Sequence, residues 1–152
     1  PGTPLLAYRW VHTDRALART SILWSKQACP NVLAPVLWRW QDIEASWDQC
    51  VLQSWVDGRP YQKVEAGKFL SPPDMLRTLR DRVNGVPKRD FALLSGTIVA
   101  LDKKLGVGSH WEFALTAPDG RELRHAYRVV NILDEVRDGF RVPLENPKPA
   151  MA

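Results

Sequence analysis

Hydrophobic and polar residues alternate most regularly near the C-terminal end of the chain. Trp111, Phe113 and Leu115 fall on one face of a predicted strand, because side chains two positions apart point the same way in a strand. A Pro118-Asp119-Gly120 turn follows, and it predicts a hairpin. The return strand is predicted to carry Leu123, His125, Tyr127 and Val129 on one face.

A second hairpin is predicted in the middle of the chain. The apolar spacing over residues 47–56 fits both a helix and one face of a strand. The dipeptide Asp57-Gly58 favours the strand, because both central residues of a type I′ turn need positive φ. Residues 61–64 are the predicted partner strand.

One helix is clearly indicated. Ser71 is a suitable N-cap, Pro72 fits the first helical position, and Asn84-Gly85 is a typical stop. The apolar positions of this helix are Met75, Leu76, Leu79 and Val83, and its arginines are expected to face water.

The apolar run 91–99 is predicted to be a buried strand that carries Ser95, Gly96 and Thr97. Gly96 would let a ligand approach the backbone, and the two hydroxyls would bind a carboxylate or a phosphate. A β-bulge or close strand packing is the alternative explanation.

These elements predict a mainly β domain with few helices (α+β), built as an antiparallel roll or sandwich. The 152 residues, 45% of them hydrophobic, suffice for one domain with a core. Residues 1–137 are assigned to this domain and residues 138–152 to a polar, proline-containing tail. The chain begins with Pro1 rather than Met, and only a few residues separate it from the polar group at His12 to Arg15. The natural N-terminal part is therefore expected to be missing.

Charge and composition narrow the functional classes. The net charge of +4 is interspersed along the chain, which argues against nucleic acid as a partner, although seven tryptophans near arginines would suit base stacking. Core packing and subunit contact explain these tryptophans better than nucleic-acid binding does. No apolar stretch approaches membrane-spanning length and no signal peptide is evident, so a cytoplasmic protein is expected. Cys29 and Cys50 are expected to be reduced, buried thiols.

Two further polar groups interrupt the apolar pattern. His12 and Asp14 would serve as an acid–base pair or as metal ligands, with Arg15 stabilising an oxyanion. A solvated turn is the alternative. Lys26 follows Trp24 and Ser25, and it is either a partly buried ammonium group aimed at negative charge or a surface lysine.

In order along the chain, these groups resemble the C-terminal catalytic domain of the fumarylacetoacetase (fumarylacetoacetate hydrolase, FAH) superfamily. The similarity covers about residues 7–132. The motifs that carry it are Trp10-Val11 with Arg15, Ser25-Lys26 with Cys29-Pro30, and Arg89-Asp90 leading into Ser95-Gly96-Thr97. The run from His12 to Pro30, with Leu37-Trp38-Arg39 and Trp47-Asp48, is most similar to an uncharacterised bacterial branch of the superfamily.

The resemblance implies an FAH-like mixed β-roll and a hydrolase or lyase acting on a small 2-oxo or 1,3-dicarbonyl acid. Mg²⁺, or Mn²⁺ or Ca²⁺ in its place, would stabilise enolate charge. Arg15, Lys26 and His12 would be catalytic, Thr97, Ser95 and Gly96 would bind substrate, and Asp14 would be a metal ligand. A cytoplasmic homodimer is implied.

Val11 stands where the family has a metal-binding Asp, and the Glu-x-Glu pair of the family would lie upstream of residue 1. The alternative is therefore a non-catalytic FAH-like subunit or small-molecule binding module that has lost its metal. A second chain that supplies the missing carboxylates is a further expected partner.

Overall fold

The computed structural model describes residues 5–6, 9–11, 15–29, 31–83, 91–93, 96 and 98–130. The N-terminal part of this structure contains two short antiparallel strand pairs and two short helices. Its elements are β1 (Leu5–Leu6), β2 (Arg9–Val11), α1 (Arg15–Ala18), α2 (Ile22–Gln27), β3 (Asn31–Leu33) and β4 (Trp38–Arg39). Strand β1 pairs with β4, and β2 pairs with β3.

A four-stranded antiparallel sheet forms the centre of the molecule. Its strands are β5 (Val51–Val56), β6 (Arg59–Glu65), β7 (His110–Thr116) and β8 (Glu122–Arg128), in the spatial order β6-β5-β7-β8. Helix α3 (Pro72–Arg82) lies between β6 and β7 in the chain. Short 3₁₀ helices cover Trp40–Asp42, Glu44–Gln49 and Ala66–Lys68.

The core lies against one face of this sheet. Phe113 at the centre of β7 is opposite Ser54 and His125 in the neighbouring strands. The side chains of Trp40 and Trp47 close the core from the 3₁₀ region, with their ring centroids 5.4 Å apart. The small mixed α/β architecture with few helices agrees with the predicted class at this level.

Both predicted hairpins are confirmed. Asp57 and Gly58 have φ values of 48° and 75°, and they connect β5 to β6 with the positive φ that a type I′ turn requires. Gly120 has φ 87° in the turn between β7 and β8. In each case the turn residues determine where the strands end.

The predicted helix is confirmed as α3. The Ser71 side chain accepts a hydrogen bond from the Asp74 N–H at 3.3 Å, which caps one of the free donors at the start of the helix. The helix ends at Arg82, with Val83 as its C-cap, slightly before the predicted stop at Asn84-Gly85. None of residues 72–82 is buried, so α3 lies at the surface.

The prediction of a buried strand over 91–99 was wrong. The described residues of this segment are not in a strand, and the Val99 side chain is 71% exposed. The Ile98 carbonyl accepts a hydrogen bond from the Gln62 side-chain amide at 2.6 Å. The Gln62 side chain therefore satisfies this backbone group.

The two cysteines are free thiols, as predicted, but they differ in burial. Cys50 is fully buried in the core, and burial raises the pKa of its thiol. Cys29 is half-buried, so the prediction of burial holds for Cys50 alone of these two.

Within the described part of the chain, no helix combines the length and the apolar character needed to cross a bilayer.

Candidate functional site

A cavity of about 530 Å³ lies between helix α3 and the chain around Leu93 and Gly96. We call it the helix groove. Residues four apart lie on one face of a helix, so Met75, Leu79 and Val83 form one wall. The remaining apolar lining residues are Phe69, Leu70 and Leu93.

The two charged residues in the described lining of the helix groove are both cations. Lys68 and Arg82 contribute to its lining and are exposed to solvent. Thr78 is the other polar lining residue in the described chain, and its hydroxyl donates to the Asp74 carbonyl at 2.9 Å. Among the described lining residues there is no Asp or Glu, so the groove combines apolar walls with positive charge.

Gly96 leaves its backbone accessible in the helix groove. A Cβ atom built on Gly96 would have no heavy atom within 4 Å, and the residue is exposed. The prediction that a ligand could approach the backbone at Gly96 is compatible with this position. Ser95 and Thr97, its predicted companions, lie outside the described residues.

A second cavity, of about 480 Å³, lies between the β5–β6 turn and the loop over residues 102–107. Two of its polar residues bond to this loop or to the start of β7 that follows it. The Asp57 carboxylate accepts hydrogen bonds from the N–H groups of Ser109 at 3.1 Å and His110 at 2.8 Å. The Tyr61 hydroxyl accepts one from the Gly106 N–H at 2.9 Å. These contacts give Asp57 and Tyr61 a structural role.

The hydrogen bonds to Asp57 predict a pH dependence of stability. The His110 N–H, more than any other group, lowers the pKa of the Asp57 carboxyl below its ordinary value. Since the pKa is lower in the folded state, Asp57 stabilises the fold above about pH 4. This contribution is lost as the pH falls through the folded-state pKa. Asp57→Asn removes this charge and keeps a residue type that tolerates positive φ. We therefore expect the variant to be less stable than the wild type at pH 7 and to differ less from it in acid.

Urea denaturation at pH 7 and near pH 3 measures this difference. Asp81→Asn, an exposed position on α3, removes the same charge elsewhere and serves as the control. An equal stability difference between Asp57→Asn and the wild type at both pH values would show that the carboxylate charge is not responsible.

Of the other predicted site residues, Lys26 and Arg15 lie within the described part of the chain. Lys26 is exposed in the last turn of α2, which agrees with the surface alternative. Ser25 beside it is buried, and its hydroxyl donates to the Ile22 carbonyl at 2.8 Å. Arg15 is the first residue of α1. His12 and Asp14 lie outside the described residues.

The described residues contain no group of three or more His, Cys, Asp or Glu side chains arranged to hold a metal ion. Asp14, the predicted ligand, is not among them, so the Mg²⁺ site stays a prediction. His125 contacts the ring of Phe113, with centroids 5.7 Å apart, as expected for a structural histidine.

Sequence reasoning missed both cations of the helix groove. Arg82 was predicted to face water, which is true, but it also lines the groove. Lys68 lies in a 3₁₀ turn and belongs to no polar motif. The sequence does show the apolar pair Phe69-Leu70 directly after Lys68 and the apolar stripe of α3 beside Arg82. These apolar neighbours are the signal by which the two cations could have been found.

Comparison with known proteins corrects the predicted resemblance. A family model described as "Protein of unknown function (DUF2848)" matches residues 4–127. No curated protein and no solved structure matches the chain. The assignment to the FAH superfamily was therefore wrong: it depended on motifs of two to four residues, whereas the family model matches most of the chain. The chain belongs to the DUF2848 family, whose function is unknown.

Proposed function

We propose that this protein binds a small carboxylic acid with an apolar body in the helix groove. The observation that supports this proposal is a largely apolar cavity of about 530 Å³ whose charged described lining residues, Lys68 and Arg82, are both cations. Ligand pockets have volumes of roughly 300–1,000 Å³ and combine apolar walls with a few polar groups that orient the ligand. The groove fits this description.

Each part of such a ligand has a counterpart in the groove. A hydrocarbon body would cover Met75, Leu79 and Leu93, and removing apolar surface from water stabilises the complex by about 25 cal/mol per Å². The Arg82 guanidinium is suited to a carboxylate, because its planar fork donates two parallel hydrogen bonds. Lys68 would add a second positive charge.

The proposal keeps the acid of the sequence-based hypothesis and omits the reaction. The hydrolase or lyase hypothesis requires His12, Asp14 and Thr97, which lie outside the described residues. The groove residues offer cations and apolar surface, which support binding. This matches the binding-module alternative without its assignment to the FAH superfamily.

Octanoate is a suitable probe because it joins an eight-carbon apolar chain to one carboxylate. Titration of the full chain by isothermal calorimetry or by NMR shifts is expected to give a Kd on the order of 1 mM, from about 0.4 kcal/mol per non-hydrogen atom. Octylamine has the same chain and the opposite charge, so it is expected to bind much more weakly.

Variants of the groove test the assignment of residues. The double variant Lys68→Ala/Arg82→Ala is expected to weaken octanoate binding about tenfold, since each exposed charge pair contributes up to about 1 kcal/mol. Arg80→Ala is the matched control, because Arg80 is exposed on the same helix without lining the groove. Gly96→Val should reduce binding while leaving the fold intact, because its Cβ faces open space. Equal binding of octylamine, or an unchanged Kd in the double variant, would contradict the proposal.

A further inference from the structure

Strand β8 forms one outer edge of the four-stranded sheet. Two hydrogen bonds at the ends of this strand show which of its residues bond to β7. The Ala117 N–H donates to the Arg121 carbonyl, and the Val129 N–H donates to the Ser109 carbonyl. Hydrogen-bonded pairs in an antiparallel ladder recur at every second residue. The odd-numbered residues of β8 therefore bond to β7, and the main-chain groups of the even-numbered residues point away from the sheet.

In the described part of the chain, these outward groups form an open strand edge. Within the described residues, no main-chain hydrogen bond is made to the outward groups of Glu122, Arg124, Ala126 and Arg128. All four residues are exposed. The opposite edge of the sheet, β6, does accept a main-chain hydrogen bond, because the Leu101 N–H donates to the Tyr61 carbonyl at 2.8 Å. An unpaired edge of this kind is a template for another strand.

We propose that β8 pairs with β8 of a second copy of this chain, in an antiparallel register centred on His125. The two four-stranded sheets then become one continuous sheet across a twofold axis. In this register Glu122 is opposite Arg128 of the second copy, and Arg124 is opposite Ala126. Both pairs consist of residues with outward main-chain groups, so each exchanges two hydrogen bonds.

The charges of β8 select this register over its neighbours. Glu122 and Arg128 oppose each other at both ends of the paired strands, and opposite charges in direct cross-strand contact are stabilising. Shifting the register by two residues in one direction places Arg124 opposite Arg124. Shifting it in the other direction places Arg124 opposite Arg128. An in-register parallel arrangement aligns each charge with its own copy, and like charges in these positions are destabilising.

Existing side-chain contacts are compatible with this pairing. Arg128 has no ion pair within the described chain, so it is available to Glu122 of the second copy. Arg124 is already held by Glu112 and lies over the Trp55 ring at 5.0 Å from its centroid. Its small opposite residue, Ala126, leaves room for that arrangement. Glu122 pairs with Arg124 at 3.5 Å and accepts a hydrogen bond from the Thr116 hydroxyl, and both contacts use Oε1, so the other carboxylate oxygen can bind Arg128 of the second copy. The inference depends on β8 alone and is independent of acid binding in the helix groove.

Sedimentation velocity on the full chain tests the proposal. The wild type is expected to associate reversibly from 17.3 kDa to twice that mass as its concentration rises. Glu122→Arg or Arg128→Glu alone places like charges opposite each other, and each is expected to weaken the dimer about tenfold or more. The double variant Glu122→Arg/Arg128→Glu restores opposite charges in the same register, so it should restore the dimer.

Two further variants separate the interface from general effects. Lys63→Glu makes the same charge change as Arg128→Glu at an exposed position on β6, and it should leave the dimer unchanged. Ala126→Pro removes an outward N–H without removing a bond to β7, so it should prevent pairing while circular dichroism shows that the fold is retained. A wild type that stays monomeric up to about 0.5 mM, a concentration at which even a weak protein dimer would be populated, overturns the proposal. A dimer that is insensitive to the charge exchange also overturns it.

Discussion

Phe113→Ala is expected to lower the free energy of unfolding by about 4 kcal/mol. Phe113 lies at the centre of β7 and is fully buried. Its ring is in contact with the rings of His125 and Tyr127, at centroid distances of 5.7 and 6.3 Å. Truncation removes the buried ring and leaves a cavity that neighbours on three strands cannot easily fill. Urea denaturation followed by tryptophan fluorescence measures the change.

Leu105→Ala is the control for this prediction. Leu105 is 75% exposed, so its truncation is expected to change stability by less than about 0.5 kcal/mol. A domain of this size is stable by about 5–15 kcal/mol, and Phe113→Ala therefore removes a large share of the total. A loss below about 1 kcal/mol would mean that the core around β7 can repack.

Gly108→Ala is expected to destabilise the fold by about 3 kcal/mol. A Cβ at this position would lie 2.3 Å from Val56 Cγ1 and 2.5 Å from Asp57 Oδ2. The first atom belongs to β5, and the second belongs to the carboxylate that accepts the Ser109 and His110 N–H bonds. Relief of the clash must therefore move the Val56 side chain and the Asp57 carboxylate from their present positions.

Gly96→Ala is the matched substitution, because its Cβ would face open space. Its effect on stability is expected to stay within about 0.5 kcal/mol. Thermal or urea unfolding of the two variants, side by side, separates steric clash from the general effect of adding a methyl group to a glycine. Equal stability of the two variants would contradict the close packing at Gly108.

The elements that were predicted correctly from the sequence are those determined by residues close together in the chain. Asp57-Gly58 has the positive φ that its hairpin needs, and Ser71 caps α3 through an N–H three residues away. Each signal lies within a few residues of the structure that it determines. The spacing of Trp111, Phe113 and Leu115 likewise identified the core face of β7, and all three are buried.

The elements that sequence predicted wrongly depend on distant contacts. Gln62 bonds to the Ile98 carbonyl across 36 residues, and no local pattern in the sequence indicates that contact. The helix groove also depends on distant contacts, because Lys68 and Leu93 come together only in the folded chain. Runs of adjacent polar residues such as His12 to Arg15 are visible in the sequence, whereas residues that lie far apart in the chain and meet only in the fold are not.

The surface position of α3 has a consequence for how the protein unfolds. With none of residues 72–82 buried, detaching this helix exposes little apolar area compared with separating the strands of the sheet. We therefore expect α3 to open locally at a lower free energy than global unfolding, which its main-chain hydrogen-exchange rates would measure. Local opening of α3 would therefore remove one wall of the helix groove while the sheet stays folded.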